Sequence, residues 1–115
     1  MREALSDLGT PDGTNRHEVV GKAREYRGHV ANEFDALSRT IRAGNVGSGG
    51  GNNTIRTEDG SVRYFTIREM ARVQGFPDDY LFHPVWSHAV CELGNACPPP
   101  LAYMWLQKLE LKRTV

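Results

Sequence analysis

"TIREMARVQGFPDDY", Thr66 to Tyr80, is a short stretch with a start and a stop written at its two ends. Thr66 is a good helix N-cap, and Glu69 completes a capping box in which each residue's side chain satisfies a backbone donor of the other. Phe65 before the cap and Met70 one turn in suit a hydrophobic staple. Gly75 fits the left-handed position that ends a helix, and Pro77 blocks any continuation. The spacing predicts a helix over 67–74, fixed at both ends. So short a helix is unstable alone, so its caps are expected to set direction rather than to supply bulk core.

Upstream, "NTIRTEDGSVRYFT" (Asn53 to Thr66) reads as a hairpin that delivers the chain to the helix. Ile55 and Val62 favour strand on its two arms, and Asp59-Gly60 is the turn signal of a type I′ hairpin, in which both central residues take positive φ. Before it, "AGNVGSGGGNN" (Ala43 to Asn53) offers no apolar burial and is expected to be a mobile loop. "ALSRTIRAG" (Ala36 to Gly44) turns toward strand, with β-branched Thr40 and Ile41. "REALSDLG" (Arg2 to Gly9) reads as one or two helical turns stopped by Gly9 and Pro11, and the polar stretch 12–35 has too weak a period to place.

Downstream, Pro98, Pro99 and Pro100 pre-set the backbone for a helix start. Ala102, Trp105, Leu106 and Leu109 follow at helical spacing and make an apolar face that wants a partner.

The 115 residues suit one small domain of formal net charge zero. No apolar run is long enough for a membrane span, and "MREALSDLGT" lacks the order of a signal peptide, so an intracellular protein is expected. In a reducing compartment Cys91 and Cys97 are expected to be free structural thiols. The charge is uneven: between Leu37 and Gln74 stand Arg39, Arg42, Arg56, Arg63, Arg68 and Arg72, against Glu58, Asp59 and Glu69. Guanidinium groups suit forked phosphate contacts, whereas a solvated surface laced with salt bridges would give the same composition.

"RYFTIREMARVQGFPDDY", with "GNACPPPLA" (Gly94 to Ala102) following after a short spacer, resembles the last two motifs of the DNA cytosine-5 methyltransferase family. Two linked motifs with many matched positions are a specific signal. More weakly, "LSRTIRAG" and its glycines resemble the end of that family's target-recognition region, and "REALSDL" its opening. Cys97 departs from the family's valine and is read as packing. The family's cofactor loop, its Pro-Cys nucleophile, its Glu-Asn-Val segment and its Gln-x-Arg-x-Arg stretch do not occur in these residues, and neither cysteine follows a proline.

The resemblance implies an α+β fold: a partial target-recognition β region with short helices over 1–62, then the closing motifs and a C-terminal helix over 63–115. That helix would pack on a missing Rossmann-like catalytic domain, supplied in trans or lost. It implies double-stranded DNA as a partner and S-adenosyl-L-methionine as cofactor, shared with that domain, with no methyl transfer by this chain alone. Asn95, Ala96 and Cys97 would line the cofactor, their backbone donors at a helix start facing its carboxylate. Thr40, Arg42, Gly49, Gly50 and Gly51 match the part that lies along DNA. Arg63, Thr66, Arg68, Glu69 and Arg72 would be structural. A rival class is a nucleic-acid-binding module with a structural zinc held by His83, His88, Cys91 and Cys97, although Cys91-x5-Cys97 is loose for zinc.

Overall fold

The computed structural model describes residues 1–23, 25, 30–43 and 53–113, and shows a small α+β fold. Helix α1 spans Arg2–Leu5, strand β1 Thr54–Arg56 and β2 Val62–Tyr64; α2 is Ile67–Gln74, α3 Trp86–Asn95 and α4 Pro99–Arg113. The strands form an antiparallel pair with Ile55 opposite Arg63. The glycine run over 44–52 lies outside the described residues.

The hairpin has the expected arms but a different turn. Gly60 takes φ 85°, whereas Asp59 is not among the described residues of positive φ. Gly60 N–H donates to Thr57 O at 3.0 Å and Thr57 N–H to Ser61 O at 2.9 Å, an ordinary turn closed by a left-handed glycine rather than type I′. Asp59 is held by side-chain bonding instead: its carboxylate accepts from the Thr57 hydroxyl, the Ser61 hydroxyl and the Ser61 N–H. These donors push its pKa down to about 2.

Helix α2 has the bounds and both halves of the capping box that its sequence predicts. Thr66 Oγ1 accepts from Glu69 N–H at 3.1 Å, and Glu69 Oε2 accepts from Thr66 N–H at 2.9 Å. Gly75 stands at φ 82° and its N–H returns to Arg72 O. The expectation that this helix contributes little core is overturned. Ile67, Arg68, Glu69, Met70 and Ala71 are all buried, and Phe65, Ile55, Ile41 and Leu5 close around them. Each large apolar side chain so buried contributes about 1.5–3 kcal/mol. Residues from both sides of position 62 share this one core.

Helix α3 completes the core with Ala89, Val90 and Leu93, while Trp86 lies edge-on to Tyr64 at 5.5 Å and donates its indole N–H to Phe65 O. The sequence reading passed over this helix. Its signal is nonetheless present, since Trp86, Ala89, Val90 and Leu93 fall at i, i+3, i+4 and i+7.

Residues 36–43 form no strand, contrary to expectation. Ile41 is buried, but the chain beside it pairs with a side chain: Asn53 Oδ1 accepts from Arg42 N–H at 3.0 Å and Asn53 Nδ2 donates to Arg42 O at 2.9 Å. A carboxamide has one donor and one acceptor edge, so it satisfies the backbone N–H and C=O of one residue as a residue of a neighbouring strand would. The 12–35 stretch flanks the hairpin through isolated bridges from Lys22 to Arg63 and from Asn32 to Ile55.

Three arginines of the α2 region tie these pieces together. Arg63 makes a bidentate pair with Glu69 at 2.8 and 2.7 Å. Arg68, buried, donates to Asn15 O at 3.0 Å, Asn15 Oδ1 at 3.1 Å and Pro77 O at 3.3 Å; burial pushes its pKa down. Its grip falls where the chain needs it, because Asn15 and Arg16 stand at φ 47° and 63°, a region unfavourable to side chains. Arg72 holds Asp78 through two bonds of 3.0 and 2.6 Å and also pairs with Asp7.

Thr66→Ala removes the cap and also the partner of His17 Nδ1 at 2.9 Å, so urea denaturation should show a loss of about 1–3 kcal/mol, with Thr66→Ser retaining most of the stability. Asp78 carries a second expectation. Hydrogen bonding to Arg72 lowers its folded pKa, so its contribution is present above the unfolded carboxylate value of about 3.9 and is lost as pH falls through the folded value. Asp78→Asn should therefore melt below wild type at pH 7, and the gap should close in an acid series below about pH 4.

Candidate functional site

The Gly-Asn-Ala-Cys-Pro stretch forms an elbow. Helix α3 ends at Asn95, Ala96 turns out at ψ 140°, and α4 begins at Pro99. Three contacts hold the elbow. Gln74, at the end of α2, donates its side-chain N–H to Leu93 O at 2.8 Å. A side chain at Gly75 would meet Pro100 at 2.7 Å, and one at Gly94 would meet the Cα and Cβ of Ala43 at 2.6 Å. The glycines of both motifs are therefore places of close approach, between α2 and α4 and between α3 and the 36–43 segment.

The elbow's donors differ from those expected. Asn95 N–H lies inside α3, and Ala96 N–H donates to Leu93 O at 3.3 Å. Pro99 and Pro100 have no N–H, and Leu101 N–H already donates to Pro98 O at 3.0 Å. Among the described residues the only unengaged donors at this turn are Cys97 N–H and the exposed carboxamide of Asn95. The elbow also joins the C-terminal end of α3 to the N-terminal end of α4, so their opposite partial charges offset. Cys97 N–H and the Asn95 carboxamide are a smaller set than the three helix-start backbone donors expected from the sequence.

Thr40 and Arg42 lie exposed on the segment that Asn53 holds, next to exposed Arg39. A cleft of about 560 Å³ runs between this segment and the elbow, lined among others by Arg39, Thr40, Gln74, Gly94 and Ala96. Of the candidate residues it brings Thr40 and Ala96 to one cleft, while Arg42, Asn95 and Cys97 do not line it. Gly49, Gly50 and Gly51 lie outside the described residues. The six-arginine stretch is not one basic patch: Arg56 pairs with Glu25 at 2.5 Å, and Arg63, Arg68 and Arg72 are engaged inside the fold.

The zinc alternative finds no ligand group. Among the described residues no three His, Cys, Asp or Glu side chains converge. Cys91 and Cys97 are free and exposed. His83 and His88 stack with ring centroids 4.4 Å apart, and His83 Nδ1 accepts from Val85 N–H. Stacking and backbone bonding account for the histidine pair.

Sequence reasoning missed Asn15, His17, Asn32, Asn53 and Gln74, each of which bonds across segments. Nothing local marks them. An asparagine reads as a turn former until its distant partner is known.

Helix α2 thus docks on a Gly-Asn elbow, with the 36–43 segment across the cleft. The chain matches the family described as C-5 cytosine-specific DNA methylase over residues 8–110, and it belongs to that family. It is 50% identical over 48 residues to "DNA (cytosine-5)-methyltransferase 2" of Arabidopsis thaliana, covering 42% of this chain and 3% of that protein. It is 35% identical over 70 residues to "Type II methyltransferase M.XorII" of Xanthomonas oryzae pv. oryzae, covering 60% of this chain and 16% of that one. With "Type II methyltransferase M.NgoFVII" of Neisseria gonorrhoeae it shares 30% over 90 residues, 77% of this chain and 24% of the other. The chain thus spans less than a quarter of the length of each of these relatives. No solved structure shows significant similarity to it.

Gly94→Ala places a methyl group against the Ala43 backbone, so the 36–43 segment or α3 must move. Overpacking of this kind costs about 1–3 kcal/mol, and thermal melting should show it. Gln74→Ala, at a half-buried position, should cost less than the glycine substitution and be detected as faster amide exchange at Ala96.

Proposed function

We propose that these residues act as the C-terminal part of a DNA cytosine-5 methyltransferase, contributing DNA contacts and one wall of the S-adenosylmethionine site. The observation that carries this reading is the pairing of the elbow with an uncovered helix. Asn95 presents an unengaged carboxamide, and directly after it α4 leaves the body with Leu101, Trp105, Leu106 and Leu109 each 46–61% exposed. So large an apolar surface marks an interaction site. The radius of gyration, 15.5 Å, against about 13 Å for a compact chain of this length, fits a helix that extends outward.

In this reading α4 docks on a Rossmann-like catalytic domain that bears the cofactor loop and the Pro-Cys nucleophile. Docking brings Asn95 and Cys97 N–H against the cofactor, whose methyl-bearing sulfonium supplies the transferable group. Asn95 orients a polar edge of the cofactor through its amide; Ala96 shapes the turn. Thr40 and Arg42, with Gly49, Gly50 and Gly51, meet the DNA from one side. Neither Cys91 nor Cys97 acts as nucleophile. Double-stranded DNA and the catalytic domain are the partners, the latter in the same polypeptide or in trans, and the site of action is intracellular. No described helix is long and apolar enough to cross a membrane.

The test is complementation. The chain alone, incubated with duplex DNA and radiolabelled S-adenosylmethionine, should incorporate no label above a blank. Co-expressed with a catalytic domain carrying the Pro-Cys motif from the same genome, it should form a stable complex and restore cytosine methylation. Within that complex Asn95→Ala should weaken cofactor binding by roughly 1–3 kcal/mol, and Trp105→Ala should loosen association. If a folded catalytic domain gives neither association nor activity, the reading fails and a decayed fragment is the better description.

A further inference from the structure

Two buried asparagines hold residues 39–42 from behind. Asn32 is 3% exposed and Asn53 0%. Asn32 Oδ1 accepts from Arg39 N–H at 2.8 Å, while its Nδ2 donates to Thr54 O at 2.8 Å. Asn53 takes the backbone N–H and C=O of Arg42, as described, and its own carbonyl accepts from Phe65 N–H at 2.9 Å. Both asparagines are thereby anchored to the hairpin, one by bonds to Thr54 and Arg56, the other through Phe65. Ile41, between the two gripped residues, is pinned in the core.

The side chains so displayed differ from the other arginines of this region. Arg56, Arg63, Arg68 and Arg72 have carboxylate or backbone carbonyl partners inside the fold. Among the described residues Arg39 and Arg42 have none, and both are exposed. Fully extended, a four-residue strip would span about 10 Å between its end Cα atoms, roughly three nucleotide rises along one strand. A phosphate contact made by a strip already ordered avoids the entropy of fixing it on binding.

We propose that Asn32 and Asn53 are positioning residues for DNA binding: they pre-order Arg39–Arg42 so that Arg39, as well as Arg42, meets backbone phosphate. This rests on the DNA-contacting reading above. The strip's order comes from side-chain amides rather than a strand ladder, so it is built independently of DNA and is present in the free chain.

The experiment uses the full chain and a short duplex DNA of random sequence. In hydrogen exchange the Arg39 and Arg42 amides should be slowed in the free chain, with little further slowing when DNA is added. Arg39→Gln and Arg42→Gln should each reduce the slope of log affinity against log salt by about one, whereas Arg56→Gln, whose guanidinium is paired, should leave it unchanged. Asn32→Ala and Asn53→Ala should release the protected amide and weaken binding at low salt by about fivefold to tenfold. Ile55→Val, a core substitution that removes one methyl group and no hydrogen-bonding atom of either grip, provides a destabilised control and should bind normally once folded. Should an asparagine variant fail to fold, the wild-type exchange data and the arginine slopes still decide. Strip amides that exchange freely until DNA is added overturn the positioning role alone. Absence of salt-dependent binding by wild type overturns the DNA reading and the proposal with it, and equal salt slopes for Arg39→Gln and wild type overturn the added contact.

Discussion

The structure depends first on one carboxylate. Glu69 is 3% exposed, and its two oxygens receive the Thr66 N–H and both arms of the Arg63 guanidinium. Arg63 belongs to β2 and Thr66 is the cap of α2, so a single group fixes the angle at which the hairpin hands the chain to the helix. Removing one member of a buried, hydrogen-bonded ion pair is far more damaging than the pair's net contribution suggests, because the remaining charge is left without compensation. Thr66 extends the arrangement. Its hydroxyl accepts from Glu69 N–H and can donate to His17 Nδ1, while His17 Nε2 lies 3.2 Å from Gly9 O, a group that only accepts. That order of donors assigns the proton to Nε2 and ties the N-terminal segment to the start of α2.

From this fixed start the helix carries geometry to its far end. The Gln74 side chain reaches Leu93 O, and Gly75 lets Pro100 close on the backbone. The heavy capping of so short a helix is then intelligible. Its two ends meet two different parts of the molecule, the hairpin and the elbow, and an error in its direction would be passed to Asn95 and α4. The expectation of a strut was right about direction and wrong about burial. The strut is also the core, since a chain this small has no other element central enough to bury Phe65, Ile55 and Leu93 against.

What was legible in the sequence was what is local. The capping box, the glycine stop and the arms of the hairpin are set by residues within a turn of one another, and all stand in the structure. The 36–43 segment misled because β-branched Thr40 and Ile41 report a preference for strand, whereas the backbone partner of Arg42 is a side chain eleven residues on. The elbow misled for a related reason. Gly-Asn before three prolines reads as a helix start with free donors, but the donors belong to the end of a helix that the reading had not placed. Long-range partners such as Asn15 for Arg68 have no local signature at all.

The distribution of charge separates function from architecture more sharply than composition could. A chain of net charge zero has no long-range pull on DNA, so the proposed contact would rest on cations left unneutralised at a particular place. Most arginines of the basic middle are neutralised within the fold, some by acids near in sequence, Glu69 for Arg63 and Asp78 for Arg72, and some by acids far off, Glu25 for Arg56 and Asp7 for Arg72. Salt bridges therefore account for those positions, although Arg63 and Arg68 lie inside the fold rather than on the solvated surface that the composition also allowed. They leave Arg39 and Arg42, which stand on a strip whose backbone is satisfied by buried amides and whose edge borders the same cleft as Ala96. One element thus carries the proposed DNA contacts and abuts, through Ala43 and Gly94, the helix that ends at Asn95. The contact between Ala43 and Gly94 is close enough that any side chain at position 94 would force the strip or α3 to shift.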